Sequence, residues 1–234
     1  RELAEAVLDV GKPTVVLLSS GRPLTVPWLF ERAHAVMATW FLGIETGNAI
    51  ADLLMGRANP SGKLAISWPR SEGQIPIFHA ERSTGRPFSS EDMYTSGYLD
   101  TPVTPQFPFG HGLSYTRFEI GRFRTNASVF ATADSIVVEA DVTNAGAMDG
   151  EETVLLFSRD VVAWPAAPIM ELRGVSKIRL APGGSGTVRF DLPVQSLAFP
   201  ASDLGPGVQP GEFELMVGSS AAPAALLRTR IRVN

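Results

Sequence analysis

The sequence predicts two architectures in series: α/β, as a partial α/β sandwich with a mostly parallel sheet, then an all-β sandwich. Three observations carry this. Up to about residue 70, short continuous apolar runs alternate with helical patterns, as in strands buried on both faces. From about Phe118 the apolar residues recur at a period of two. Between them, residues 71–117 have little periodicity and much Pro, Gly and Ser. The expected division is therefore 1–70, 71–117 and 118–234. A chain of 234 residues accommodates one large domain or two ordinary ones.

Residues 1–10 read as a helix, with Leu3, Ala6, Val7 and Val10 near helical spacing, stopped at Gly11-Lys12-Pro13. Thr14–Ser20 is a continuous apolar strand, and Gly21-Arg22-Pro23 turns the chain. His34–Trp40 is the next strand, broken at Gly43. Asn48–Gly56 is a helix with Ile50, Leu53 and Leu54 on one face. Asn59-Pro60-Ser61-Gly62 has turn chemistry, and Lys63–Trp68 is expected to return as a third strand. A long irregular segment such as 71–117 is usually functional or packed against a neighbour. Three strands and two helices leave apolar faces and edges that need cover, and one sandwich cannot cover both faces.

In the second half, Ile136, Val138, Ala140 and Val142 alternate with polar or outward positions. The pattern repeats at Val188, Phe190 and Leu192, at Phe213, Leu215 and Val217, and at Leu227, Thr229, Ile231 and Val233. Turns fall at Asn144-Ala145-Gly146, Pro182-Gly183-Gly184 and Pro210-Gly211. Six or seven such strands with one polar face predict a sandwich.

Composition narrows the function classes. The chain is 44% hydrophobic and 19% charged, with a formal net charge of -4 and no cysteine. No apolar run approaches the roughly 18–20 residues that span a bilayer. No Lys/Arg stripe offers a nucleic-acid footprint, so neither nucleic acid nor membrane is expected as a partner. Without cysteine there is no disulfide framework and no thiolate metal site. Because residues 1–10 read as the middle of a helix, the chain is expected to be the C-terminal part of something longer.

Several blocks, in order, carry a family likeness: VVLLSSGRPL (15–24), WFLGIETGNAIADLLMGRANPSGKLAISWP (40–69), TGRPF (84–88), FPFGHGLSYTRFE (107–119), ELRGVSKIRLAPGGSGTVRFDL (171–192) and PGEFELMVGSS (210–220). Together the chain resembles glycoside hydrolase family 3, in particular the bacterial periplasmic β-glucosidase type with a fibronectin type III-like C-terminal domain. The resemblance implies an N-terminal (β/α)8-type barrel, an α/β sandwich and the fibronectin-like sandwich, and retaining hydrolysis of β-glucosides or short β-linked oligosaccharides without cofactor. It implies a periplasmic or secreted location. Retention needs two carboxyl groups roughly 5–5.5 Å apart. In the family the nucleophile is a barrel Asp, and the acid/base is a Glu on a loop upstream of the VVLLSSGRP block. The resemblance therefore implies no catalytic residue within these 234 positions, and the missing barrel as partner.

Within the chain, three residues are candidates for substrate binding. Glu45 follows a strand at a helix start, where ligands sit in α/β folds, although an acid there is also favoured by the helix dipole. Arg86, in TGRPF, together with His79, Phe88 or Tyr94, has the composition of a sugar subsite. Its planar donor fork better suits a clamp on carbonyls or a carboxylate at a domain interface. His34, His79 and His111 are too scattered for a metal set. His111 lies among turn glycines and is expected to be structural. Trp40 and Trp68 close apolar strands and are expected to pack, whereas Trp164 is expected on an exposed loop. The competing reading is a non-catalytic structural or carbohydrate-binding module. A nucleotide-binding protein is disfavoured by the absence of any glycine-rich phosphate motif.

Overall fold

A computed structural model of the chain describes residues 1–92, 94–162, 167–198 and 207–234. Trp164 lies outside the described residues. The first part contains α1 (Glu2–Asp9), β1 (Val15–Leu18), α2 (Pro27–Arg32), β2 (Ala35–Ala38) and α3 (Thr46–Leu54). Helix α2 was not expected from the pattern. It starts with Pro27 at its first turn, where the missing N–H costs nothing, and buries Leu29. β1 and β2 pair in parallel, Val15 opposite Ala35 through Leu18 opposite Ala38.

The third strand is where the structure departs from expectation. Residues 63–68 leave the parallel sheet and run beside residues 106–111 instead. The Leu64 N–H donates to His111 O (2.8 Å), Gly110 N–H to Leu64 O (2.7 Å), and Trp68 N–H to Phe107 O (2.8 Å). The indole N–H of Trp68 donates to Leu24 O at 2.8 Å. These bonds satisfy the segment's backbone elsewhere, so the parallel sheet stops at two strands. Across the described residues only the β1–β2 pair is a parallel sheet; the five-stranded sheet is mixed and the three-stranded one antiparallel, so the expected mostly parallel sheet is not what forms.

The second part is a sandwich of two sheets. β3 (Phe118–Thr125), β5 (Ser135–Asn144) and β8 (Ser185–Pro193) form one, in the order β3-β5-β8. β4 (Val129–Phe130), β6 (Gly150–Asp160), β7 (Glu171–Leu180), β9 (Gly211–Gly218) and β10 (Leu226–Val233) form the other, in the order β4-β10-β9-β6-β7. The expected inward sets are the core: Ile136, Val138, Ala140, Val142, Val188, Phe190, Leu192, Phe213, Leu215, Val217, Ile231 and Val233 are all buried. Each fully buried aliphatic side chain contributes about 1.5–3 kcal/mol. Leu227, read as inward, is exposed.

β6 reads differently because it is buried on both faces. Val154 and Leu156 point into the sandwich, while Leu155 and Phe157 point outward into a second cluster with Met170, Met216 and Leu226. That cluster is capped by Phe109, from the irregular segment. Phe109 thus packs this part of the irregular segment on the outer face of the five-stranded sheet.

The turn at 59–62 and the segment 107–116 join the two parts. Asn59 Nδ2 donates to Asp149 O (2.9 Å), and its Oδ1 accepts from Ser114 Oγ (2.9 Å) and Tyr115 N–H (2.8 Å). Lys63 Nζ pairs with Glu152 Oε1 at 2.9 Å, both side chains nearly buried, and also donates to Gly112 O at 3.0 Å. Gly110 (φ +82°) lies so close to Leu155, Ser219 and Ser220 that any Cβ would meet heavy atoms at 2.6–2.9 Å. The two glycines of this block are demanded by close approach: a Cβ on Gly112 would sit 2.2 Å from Gly62 O.

Candidate functional site

The sequence candidates fall into two separate places. Glu45 is the residue before the first turn of α3. Its carboxylate accepts a hydrogen bond from Asn48 Nδ2 at 2.6 Å, three residues along the same helix. That partner belongs to its own helix.

His79 sits at the root of the irregular segment's long excursion. Its ring lies 4.3 Å from that of Phe109, tilted by 32°, and edge-on to Phe157 of β6 at 5.8 Å. Burial lowers its pKa, so near neutral pH it is an uncharged ring in an aromatic pocket. Two backbone contacts follow directly. The Ile169 N–H donates to Glu81 O at 2.8 Å, and Arg82 bridges Pro168.

Beyond this root residues 81–92 and 94–98 form a mostly exposed stretch, the arm. The arm is closed by its own polar groups. Ser96 N–H donates to Arg86 O (2.9 Å), Ser89 N–H to Thr95 Oγ1 (3.0 Å), and Thr95 Oγ1 to Asp92 O (2.7 Å). The Phe88 ring lies against Gly97, where a Cβ would come within 3.1 Å of it. Phe88, Tyr94 and Tyr98 remain exposed. The Arg86 guanidinium has no hydrogen-bond or ion-pair partner among the described residues. No hydrogen bond, ion pair or ring contact joins Glu45, His79 and Arg86 to one another.

The far root of the arm is held by a polar knot that sequence reasoning missed. Gln74 is buried; its Oε1 accepts from Arg70 N–H (2.7 Å) and its Nε2 donates to Pro102 O (2.7 Å). Arg70 Nε donates to Thr104 O at 3.0 Å, and its NH1 group to Gln106 Oε1 at 3.1 Å. A buried Gln in a Gly/Pro-rich stretch has no periodicity to mark it. The only signal was the irregularity of the segment itself.

Other chemistry in the chain is structural. His111 stacks on Phe107 (4.6 Å, 20°), and its pKa is lowered by burial and then by the Lys63 charge. Trp40 and Trp68 pack in one aromatic group with Phe30 and Phe107. An open trough of about 560 Å³ lies on the outer face of the three-stranded sheet, lined by Glu119, Arg122, Asp141, Thr143, Ser185 and Thr187. Its Asp141 carboxyl is held below the usual range by hydrogen bonds from Thr187 and Arg124. That direction opposes a general acid, which needs a raised pKa. Among the described residues no cluster of His, Asp or Glu could hold a metal ion. No helix there is long and apolar enough to cross a membrane.

This geometry has close counterparts. Residues 1–115 match the glycosyl hydrolase family 3 C-terminal domain, and residues 152–221 match the fibronectin type III-like domain. A periplasmic β-glucosidase of Salmonella typhimurium is 39% identical over 224 residues, which cover 95% of this chain and 29% of that protein. A β-xylosidase of Formosa agariphila is 37% identical, covering 94% of this chain and 30% of its own length. A β-glucosidase from Listeria innocua, solved in complex with isofagomine, superposes with a TM-score of 0.94 at 36% identity, covering 99% of this chain and 32% of that one. The chain belongs to glycoside hydrolase family 3, carrying that family's C-terminal domain followed by a fibronectin type III-like domain. It spans about 30% of the length of the relatives it matches.

Proposed function

We propose that this chain is the C-terminal part of a retaining β-glucosidase-like hydrolase acting on β-glucosides or short β-linked oligosaccharides. The single observation that carries the reading is the match of nearly the whole chain to about 30% of the length of named β-glucosidases. The catalytic carboxyl pair lies outside these residues. The (β/α)8-type barrel of the longer protein is the partner, and the isolated chain is inactive. The location is periplasmic or secreted, by analogy with the Salmonella protein.

The bare surface of the first part supports a missing partner. Leu3, Val7 and Val10 on and after α1, Val15 and Leu17 on β1, and Phe41 and Ile44 before α3 are all exposed. Apolar side chains so concentrated mark an interface. Residues 1–70 are the end of an α/β sandwich domain in this reading, whose further strands extend the β1–β2 pair. Residues 71–117 are the interface segment, and 118–234 the fibronectin-like domain. Arg86, with Phe88 and Tyr94 on the arm, borders the substrate cleft. An unpaired guanidinium beside exposed aromatic faces is the composition a sugar subsite uses. Glu45 and His79 are left without a direct substrate role.

The test is hydrolysis of aryl β-glycosides (glucoside, xyloside, N-acetylglucosaminide). A full-length protein containing this chain is expected to turn over at least one of them, and purified 1–234 none. A full-length protein inert to all three would sink the enzymatic reading and leave the non-catalytic module. Turnover by 1–234 alone would overturn the placement of the carboxyl pair.

A further inference from the structure

The arm has two roots, and they belong to different parts of the molecule. The 102–106 root is tied through Gln74 and Arg70 to the end of the α/β part. The 79–82 root is tied to the sandwich through the ring of His79 in the Phe109–Phe157 pocket, the Ile169–Glu81 hydrogen bond and the Arg82–Pro168 bridge. Between the roots the arm's own hydrogen bonds are local, reaching at most twelve residues along the chain. The sandwich root is thus one of the two fixed ends between which the stretch carrying Arg86, Phe88 and Tyr94 runs.

We infer that the fibronectin-like sandwich is a positioning platform for acceptor-side sugar binding, with His79 as the positioning residue that couples β6 to the arm. The inference rests on the reading of Arg86 as a cleft-bordering residue. His79 acts through the arm and touches no substrate. The surface around the pocket is built for this. β6 carries Leu155 and Phe157 on its outer face, where an independent module would carry polar residues, and Met170, Met216 and Leu226 complete a dry floor under the root. The aromatic pocket is filled by a planar ring, so Phe substitutes for His79 in shape, while Ala leaves a cavity. A platform that sets an outer sugar site affects substrates with a second sugar and spares those without one. A contact to the outer sugar that is made equally in the ground state and the transition state raises KM when lost and leaves kcat unchanged.

The experiment uses two readouts on His79→Ala and His79→Phe. In the chain 1–234, amide exchange at Ile169, the donor to Glu81, reports the root directly. In His79→Ala it is expected to rise by about tenfold or more, the change produced by about 1.4 kcal/mol of local opening, and in His79→Phe to stay within about twofold. In the full-length enzyme, KM for a β-linked disaccharide is expected to rise about fivefold or more in His79→Ala with kcat nearly unchanged. Kinetics on an aryl β-glucoside stay within about twofold, and His79→Phe restores the disaccharide KM. Unchanged exchange at Ile169 in His79→Ala would overturn the coupling. Faster exchange with an unchanged disaccharide KM, or equal losses on both substrates, would overturn the positioning role. A full-length protein that hydrolyses neither substrate fails the enzymatic reading, and the positioning role falls with it; the exchange result then describes a structural tether alone.

Discussion

Lys63 and Glu152 meet across the junction as a nearly buried pair, 2.9 Å apart, with Gly112 O and Thr153 N–H taking up further hydrogen bonds. Such a pair is weak evidence of stability in itself, but removing one partner strands the other charge. Lys63→Met is expected to destabilise the chain by about 3–5 kcal/mol in urea unfolding, and Lys63→Met with Glu152→Leu to recover most of the loss. A double variant as unstable as the single one would show that the pair is worth more than its desolvation. The imidazoles make a second residue-scale expectation. Burial depresses the pKa of both His79 and His111 in the folded chain, while an unfolded histidine titrates near about 6.5. As pH falls below that value, the unfolded chain takes up protons that the folded one refuses. The contribution of these groups is therefore complete above about pH 6.5 and is lost as pH falls through the lowered folded values. Urea unfolding at pH 7.5 and 5.5 should show the loss, and His79→Phe should reduce it. A variant with undiminished pH dependence would remove His79 from the account.

At the scale of elements, β6 decides more than any other strand. It is buried on both faces along most of its length, between the sandwich core and the cluster outside it. Leu156→Ala is expected to cost about 2–5 kcal/mol in chemical unfolding, and Val175→Ala on the exposed side of β7 less than about 0.5 kcal/mol. Comparable costs at the two positions would mean that β7 is covered. The same strand explains where pattern reading failed. Alternation found β5 and β8 because one face of each meets the core and the other is more open. In β6 the run Val154–Phe157 is apolar without a break, and a period of two has nothing to alternate with. The third expected strand of the α/β part failed for a related reason. Residues 63–68 are apolar enough for a buried strand, but their hydrogen bonds go to 106–111, a partner some forty residues away that no local pattern indicates.

At the scale of the whole molecule, the chain divides by how much each part buries. Neither α1 nor α3 contains a buried residue, whereas the junction around Asn59, Lys63 and Gly110 is packed onto β6. In the isolated chain, amides of α1 and α3 are expected to exchange at least about tenfold faster than those of Leu64 and Gly110, which donate across the junction. Uniform protection over residues 2–112 would show that the bare face is covered, by a second copy or otherwise. The division also fits a function in which the first part is completed by another domain while the sandwich supports the arm.

What the sequence determined by itself was the family, the all-β character of the second half and the inward residues of most of its strands. These are properties of ordered motifs and of periodicity, which are local. Of the candidate residues, it offered Arg86 with His79, Phe88 or Tyr94 by composition and Glu45 by its place at a helix start. The tertiary structure decided the rest: Glu45 bonds to its own helix, His79 fills an aromatic pocket on β6, and Gln74 with Arg70 closes the other root of the arm. The physical reason is that each of these roles depends on a contact between distant segments, or on which face of a strand is covered.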